Sequence, residues 1–217
     1  MSLVDLKSWN VVLSHLSDLS DWPPFFVFLL LPRSIKKKYK VLGVYFLLAS
    51  FLKTTTLFLA SQRINTLGFY HALSLAEFTC LAFFYKQILP KWLFVNVSII
   101  VVIVINLVNS LFVQTFDQFN SNAWAMNTLV LIFLGLVYLY ILYQNIEDIQ
   151  LEKAPLFVVN FGFMVYFAGS IFTYLLAIDI FSREAVGFFH NAWIIRSIAD
   201  IIKSPIICFG LWLMRDN

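Results

Sequence analysis

The chain has 217 residues, 61% of them hydrophobic and only 12% charged, with a formal net charge of +3 and a mean hydropathy of +0.84. Soluble domains are about 45–50% apolar and about 25% charged. A chain this short cannot hide several runs near the ~20 residues that cross a ~30 Å hydrocarbon layer, so composition excludes a soluble globular protein and implies a polytopic, all-α membrane helix bundle.

Hydropathy divides the sequence into seven expected spans, at about 20–33, 40–61, 67–87, 92–114, 124–145, 155–178 and 188–214. The first is the weakest. Its apolar core from Trp22 to Leu31 is short and bracketed by Pro23, Pro24 and Pro32, so it must borrow from Val11–Leu19 or lie tilted and partly interfacial. A six-span reading stays open on that account. The residues before it lack a basic stretch followed by an apolar one, and Asp5, Asp18 and Asp21 interrupt them, so no cleavable signal peptide is expected.

Positive charge sorts by alternate connections. Arg33, Lys36, Lys37, Lys38 and Lys40 follow span one, Lys86 and Lys91 follow span three, Lys153 follows span five, and Arg215 follows span seven. The opposite set holds Lys7, Arg63 and Arg183. The positive-inside rule then places the N-terminus outside and the C-terminus in the cytoplasm. Connections are short and no stretch reads as a linker, so residues 1–217 form a single transmembrane domain without the internal repeat that marks many transporters. Trp22, Trp92, Trp124 and Trp212 are expected as interfacial anchors, Cys80 and Cys208 as packing residues, and Gly162 and Gly169 as points of close helix approach.

Against this apolar background the charged residues inside the spans stand out. Lys53, Glu77 and Asp200 fall near the centres of spans two, three and seven, and so share one depth. In span seven, Arg196 and Asp200 lie about 40° apart and Arg196 and Lys203 about 20° apart, so all three line one helix face. An intramembrane charge costs at least ~2.5–3.5 kcal/mol unless it is partnered, which makes each one a functional-site candidate. Two acids, Glu77 and Asp200, face three bases, leaving one positive charge for an anion to complete. The competing expectation is a structural network, with Asp200 satisfied by Arg196 and Lys203 while Lys53 pairs with Glu77.

Other polar residues gather in the expected outer half: His71, Asn106, Asn109, Asn127 and, at the start of span seven, His190 with Asn191. Together they outline a cavity that opens outward over an apolar floor, the usual form of a small-molecule site. Taken singly, each Asn is explained by hydrogen bonding across membrane helices.

Enzyme signatures are missing. Three histidines without HExxH or a paired-His motif argue against a zinc hydrolase, and no GxSxG, GxGxxG or P-loop occurs. No cofactor, metal or nucleic-acid partner is expected, and the basic run from Arg33 to Lys40 is a topogenic loop that touches anionic lipid. Lys203 near an acid in a seventh helix resembles the retinal attachment of microbial rhodopsins, with Glu77 as counterion. However, Asp200 precedes it by three residues where that pattern has four, and span six lacks the Trp-rich lining.

His71 with Glu77 in span three, the run Asn160-Phe-Gly-Phe-Met-Val-Tyr-Phe-Ala-Gly in span six and His190-Asn-Ala-Trp-Ile-Ile-Arg entering span seven resemble small seven-helix bacterial inner-membrane proteins over nearly the whole chain. That resemblance implies a multi-pass protein of the bacterial inner membrane serving a separate signalling partner such as a sensor kinase. The resulting expectation is a receptor or sensor that binds a small, anionic ligand in its outer half. The alternative is a secondary transporter or proton channel using Glu77 and Asp200, and the third reading is a membrane enzyme or retinal protein.

Overall fold

A computed structural model describes residues 3–89, 93–144, 151–175 and 188–215, with side chains for 11–89, 95–144, 151, 153–175 and 193–215. Among these residues the secondary structure is entirely helical. Helices α1 (Leu3–Leu19) and α2 (Trp22–Leu30) are followed by the short basic α3 (Arg33–Lys38), then α4 (Lys40–Ser61) and α5 (Leu67–Ile88). Beyond them lie α6 (Leu93–Val108), which ends in a π-helical turn at Asn109–Val113, α7 (Ser121–Gln144), α8 (Pro155–Leu175) and α9 (Phe188–Leu213).

Among the described residues, five helices are long and apolar enough to cross a membrane: Lys40–Ser61, Leu67–Ile88, Val95–Val113, Ser121–Gln144 and Pro155–Leu175. Their outward faces carry Phe51, Phe58, Ile100, Phe112 and Phe172, while Lys53, Glu77, Arg196, Asp200 and Lys203 are buried. A surface of apolar side chains around a charged interior suits hydrocarbon and not water. The chain is therefore a helical membrane protein.

The expected first span proves to be a broken helix. Pro23 and Pro24 open α2; each lacks an N–H, so the carbonyls of Leu19 and Ser20 have no donor four residues on, and α1 stops. The Ser20 hydroxyl turns back to the Ser17 carbonyl at 2.7 Å. Asp21 then sits as the N-terminal cap residue of α2 without using its side chain to cap it, which leaves the carboxylate free to face the bundle.

Helix α4 closes on Arg63, whose φ of 60° is left-handed. Its N–H and that of Ile64 return to the carbonyls of Ala60 and Leu59, a C-terminal cap that glycine usually provides. The tight turn lays α5 back along α4. Neighbour contacts run from α4 to α5, α7, α8 and α9, and from α9 through α1 and α2 back to α4. This ring of helices has α6 on its outside, touching α5 and α7.

The closest crossing joins α8 and α9. A side chain at Gly169 would overlap the Ala199 methyl, and one at Gly210 would stand 3.0 Å from the Val159 nitrogen and 3.2 Å from the Pro155 carbonyl, both backbone atoms that cannot yield. Inside the ring, towards the end that carries Lys36–Lys40 and Arg215, the space is filled by Tyr45, Phe46, Phe84, Phe163 and Phe167. Phe163 stacks on Phe46 and Phe167, with Tyr45 edge-on at 5.6 Å. Above this aromatic floor lie the charges.

A candidate anion site above a buried ion ring

The break at Asp21, the middle of α4 and the middle of α9 bring two carboxylates and two ammonium groups together. Lys53 Nζ lies 2.6 Å from Asp21 Oδ2 and 2.7 Å from Asp200 Oδ2. Lys203 Nζ lies 2.8 Å from Asp21 Oδ1 and 2.6 Å from Asp200 Oδ1. Each acid thus bridges both bases, and the four form a closed, neutral ring. The Lys53 contacts are aligned hydrogen bonds, whereas those of Lys203 are ionic contacts off the hydrogen-bond line. Ser17 of α1 donates to Asp200 Oδ2 at 2.8 Å, and Lys203 Nζ lies 4.5 Å from the centre of the Tyr166 ring. Asp21, Asp200 and Lys203 are completely shielded. Such a ring withstands burial because every charge meets two of opposite sign.

Three expectations change here. Lys53 pairs with Asp21 and Asp200 in place of Glu77. Asp200 pairs with Lys203 as expected, but its second base is Lys53, while Arg196 is bonded elsewhere. The count of two acids against three bases omitted Asp21; with it, three buried acids meet three buried bases. The signal that could have found it was present: Asp21 stands at the junction of Val11–Leu19, itself interrupted by Asp18, and Trp22–Leu31, two stretches that together are long enough to cross.

One turn before Asp200, Arg196 occupies a different environment. It is buried and donates from Nε to the Tyr174 hydroxyl at 3.0 Å. Its guanidinium carbon lies 5.6 Å from the Tyr174 ring centre and 5.0 Å from that of Trp193. No carboxylate of a described residue is within ion-pairing distance of it. Asp18 acts on it only from farther off, from a half-buried position on α1. Trp124, expected at the interface, is instead sealed inside, stacked on the same Tyr174 ring at 4.9 Å. Its indole N–H has no acceptor among the described residues. Tyr174 and Tyr166 touch through their hydroxyls at 3.1 Å. Contacts therefore run without a gap from Arg196 through Tyr174 and Tyr166 to Lys203 and the ion ring. None of these aromatic partners stands out in hydropathy, since tyrosine and tryptophan look ordinary in an apolar helix.

Glu77 is buried in α5, with its Oε2 lacking any partner among the described residues. The remaining candidates tie α5, α6 and α7 to one another. Asn106 and Asn127 exchange side-chain hydrogen bonds at 2.7 and 3.0 Å, and Asn127 also donates to the Ser74 hydroxyl at 2.9 Å. His71 sits between the Ser110 hydroxyl and the Gln118 carbonyl, at 2.8 and 3.0 Å. Asn109 donates to Gln114, which also accepts from the Asn122 N–H and so caps α7. These side chains satisfy each other, in keeping with interhelical bonding in membranes. The His190 and Asn191 side chains lie outside the described residues. An open cleft of about 550 Å³ lies between α1 and α4, lined by His15, Thr54, Leu57, Phe58, Ala60 and Ser61. It is largely apolar and does not include the charges. No group of His, Cys, Asp and Glu suited to a metal ion occurs among the described residues.

Compared with known protein families, curated proteins and solved structures, the chain matches none.

Proposed function

We propose that this chain is a seven-span receptor of the bacterial inner membrane, N-terminus outside, that takes a small anion beside Arg196 and passes the event to a separate partner protein at its basic, cytoplasmic end. The observation that carries this reading is Arg196 itself: a shielded cation, held by aromatic rings, without a carboxylate of a described residue in reach. On the same Tyr174 ring, the Trp124 N–H has no acceptor among the described residues. A buried cation without a paired carboxylate suits an anion, and a guanidinium fork suits a carboxylate or phosphate.

Signalling follows from the contacts below the site. An anion that draws Arg196 away from Tyr174 alters Tyr166 and then Lys203, whose ring clamps the α1–α2 break, α4 and α9 together. Two arrangements of such a clamp are the physical element that a ligand can bias. The gathering of Arg33 to Lys40, Lys86, Lys153 and Arg215 towards one end supports the orientation.

A second reading, a secondary transporter or proton pathway using Glu77 and Asp200, is favoured by the helix break at Asp21, because discontinuous helices meeting at buried charges are a transporter device. One experiment separates the two. Acetate, benzoate and inorganic phosphate are titrated into the full chain in nanodiscs while tryptophan fluorescence is followed. Saturable binding of at least one, weakened about tenfold or more (roughly 1.4 kcal/mol) in Arg196→Gln, is expected. Equal binding by Arg196→Gln contradicts the site. Accumulation of the bound anion in proteoliposomes under a proton gradient replaces the receptor by the transporter.

A further inference from the structure

Among the described residues, Glu77 is the buried acid that the ion ring leaves out. Its side chain is 4% exposed, and Oε2 has no hydrogen-bond donor among the described residues. Lys203, Lys53, Asp200 and Asp21 all act on it electrostatically, yet none is paired with it. The ring already balances two acids with two bases, so an ionised Glu77 would add a negative charge for which the ring has no free cation. An unbalanced, undonated carboxylate in a low-dielectric interior is among the most costly groups a protein can bury.

We propose that Glu77 is a proton-binding site: neutral while the ring is closed, and ionised when a lysine of the ring turns from Asp21 to it. In that exchange the Glu77 O–H bond breaks, the proton passes to water, and the carboxylate gains the ammonium partner that Asp21 loses. Asp21 keeps its other lysine, so the hold on the first segment is weakened by one of its two ionic contacts.

The groups that act on Glu77 electrostatically from the surrounding elements fit this assignment. Helix α4 contributes Lys53 and the Tyr45 hydroxyl, which is itself without a partner among the described residues; α9 contributes Asp200 and Lys203; the α1–α2 break contributes Asp21; α8 contributes Tyr166 and Tyr174. Cys80 lies near it on α5 itself. Helices α6 and α7 contain no Asp, Glu, Lys or Arg. A metal cation fits this donor set less well than a proton, because the neighbouring carboxylate oxygens of Asp21 and Asp200 each already face a lysine.

This site stands independently of an anion at Arg196. Where both hold, a neutral Glu77 leaves Arg196 as the one unbalanced positive charge among the six buried charged residues of the described structure, and anion and proton bind together. The test is infrared difference spectroscopy of the full chain in nanodiscs, titrated from acid to alkaline pH with no added carboxylate or phosphate. The wild type is expected to show a protonated-carboxyl carbonyl band at neutral pH that disappears on alkalinisation. Glu77→Gln is expected to lose that band, and Glu77→Asp to keep it at a shifted frequency. A band unchanged in both variants, or no such band in the wild type at neutral pH, overturns the proposal. Should Glu77→Gln not fold, the frequency shift in Glu77→Asp decides.

Discussion

Tyr174 does two things at once: its hydroxyl accepts from Arg196 and meets the Tyr166 hydroxyl, and its ring is covered by Trp124. Replacing it with phenylalanine keeps the stacking and strands a buried guanidinium. Tyr174→Phe is therefore expected to lose about 1–3 kcal/mol of stability, the cost of an unsatisfied buried polar group, read as a lowered unfolding midpoint in detergent. At this scale the sequence is informative where a charge falls inside a long apolar run. Lys53, Glu77, Arg196, Asp200 and Lys203 were all expected in the interior, and all are buried. It was uninformative about partners, because pairing across helices depends on rotation that hydropathy does not encode. Asp21 was passed over for another reason: in a weak span it read as an interruption. The same loss of information hides the partners of Asn106, Asn109, Asn127 and His71: Asn106 and Asn127 bond each other, Asn127 also bonds Ser74, Asn109 bonds Gln114, and His71 bonds Ser110 and Gln118.

Among the elements, the long apolar helices fall close to where hydropathy placed them, because an unbroken run of helix-compatible apolar residues leaves the backbone no other way to satisfy itself in lipid. The first segment departs from that pattern because Pro23 and Pro24 act on backbone hydrogen bonds, to which a hydropathy average is blind. Pro205 inside α9 acts similarly, withholding the N–H that would bond the Ile201 carbonyl just beside Lys203. The α8–α9 crossing was legible in part, since Gly169 was expected as a packing point, but its partner Ala199 was not. Gly169→Leu forces the two helices apart at the level of Arg196. Its expected cost is about 1–3 kcal/mol, that of overpacking a well-filled contact, and thermal unfolding checks it against Gly68→Leu, a position with open space.

For the molecule as a whole, the layers explain why the charges are tolerated: an aromatic floor, a neutral ion ring, then Arg196 among tyrosine and tryptophan. Composition alone established a membrane helix bundle, since nothing else accommodates this much apolar sequence. What it could not supply is how the first segment joins the rest, which rests on Asp21 reaching both Lys53 and Lys203, and on Ser17 reaching Asp200. A double-mutant cycle on Asp21→Asn and Lys53→Gln, with unfolding free energies measured by steric trapping in mixed micelles, tests that closure most directly. Each single change leaves the ring with an unpaired charge and is expected to cost about 3–5 kcal/mol. The double change leaves Asp200 balanced by Lys203 and is expected to cost no more than either single one. Losses that simply add would contradict the ring.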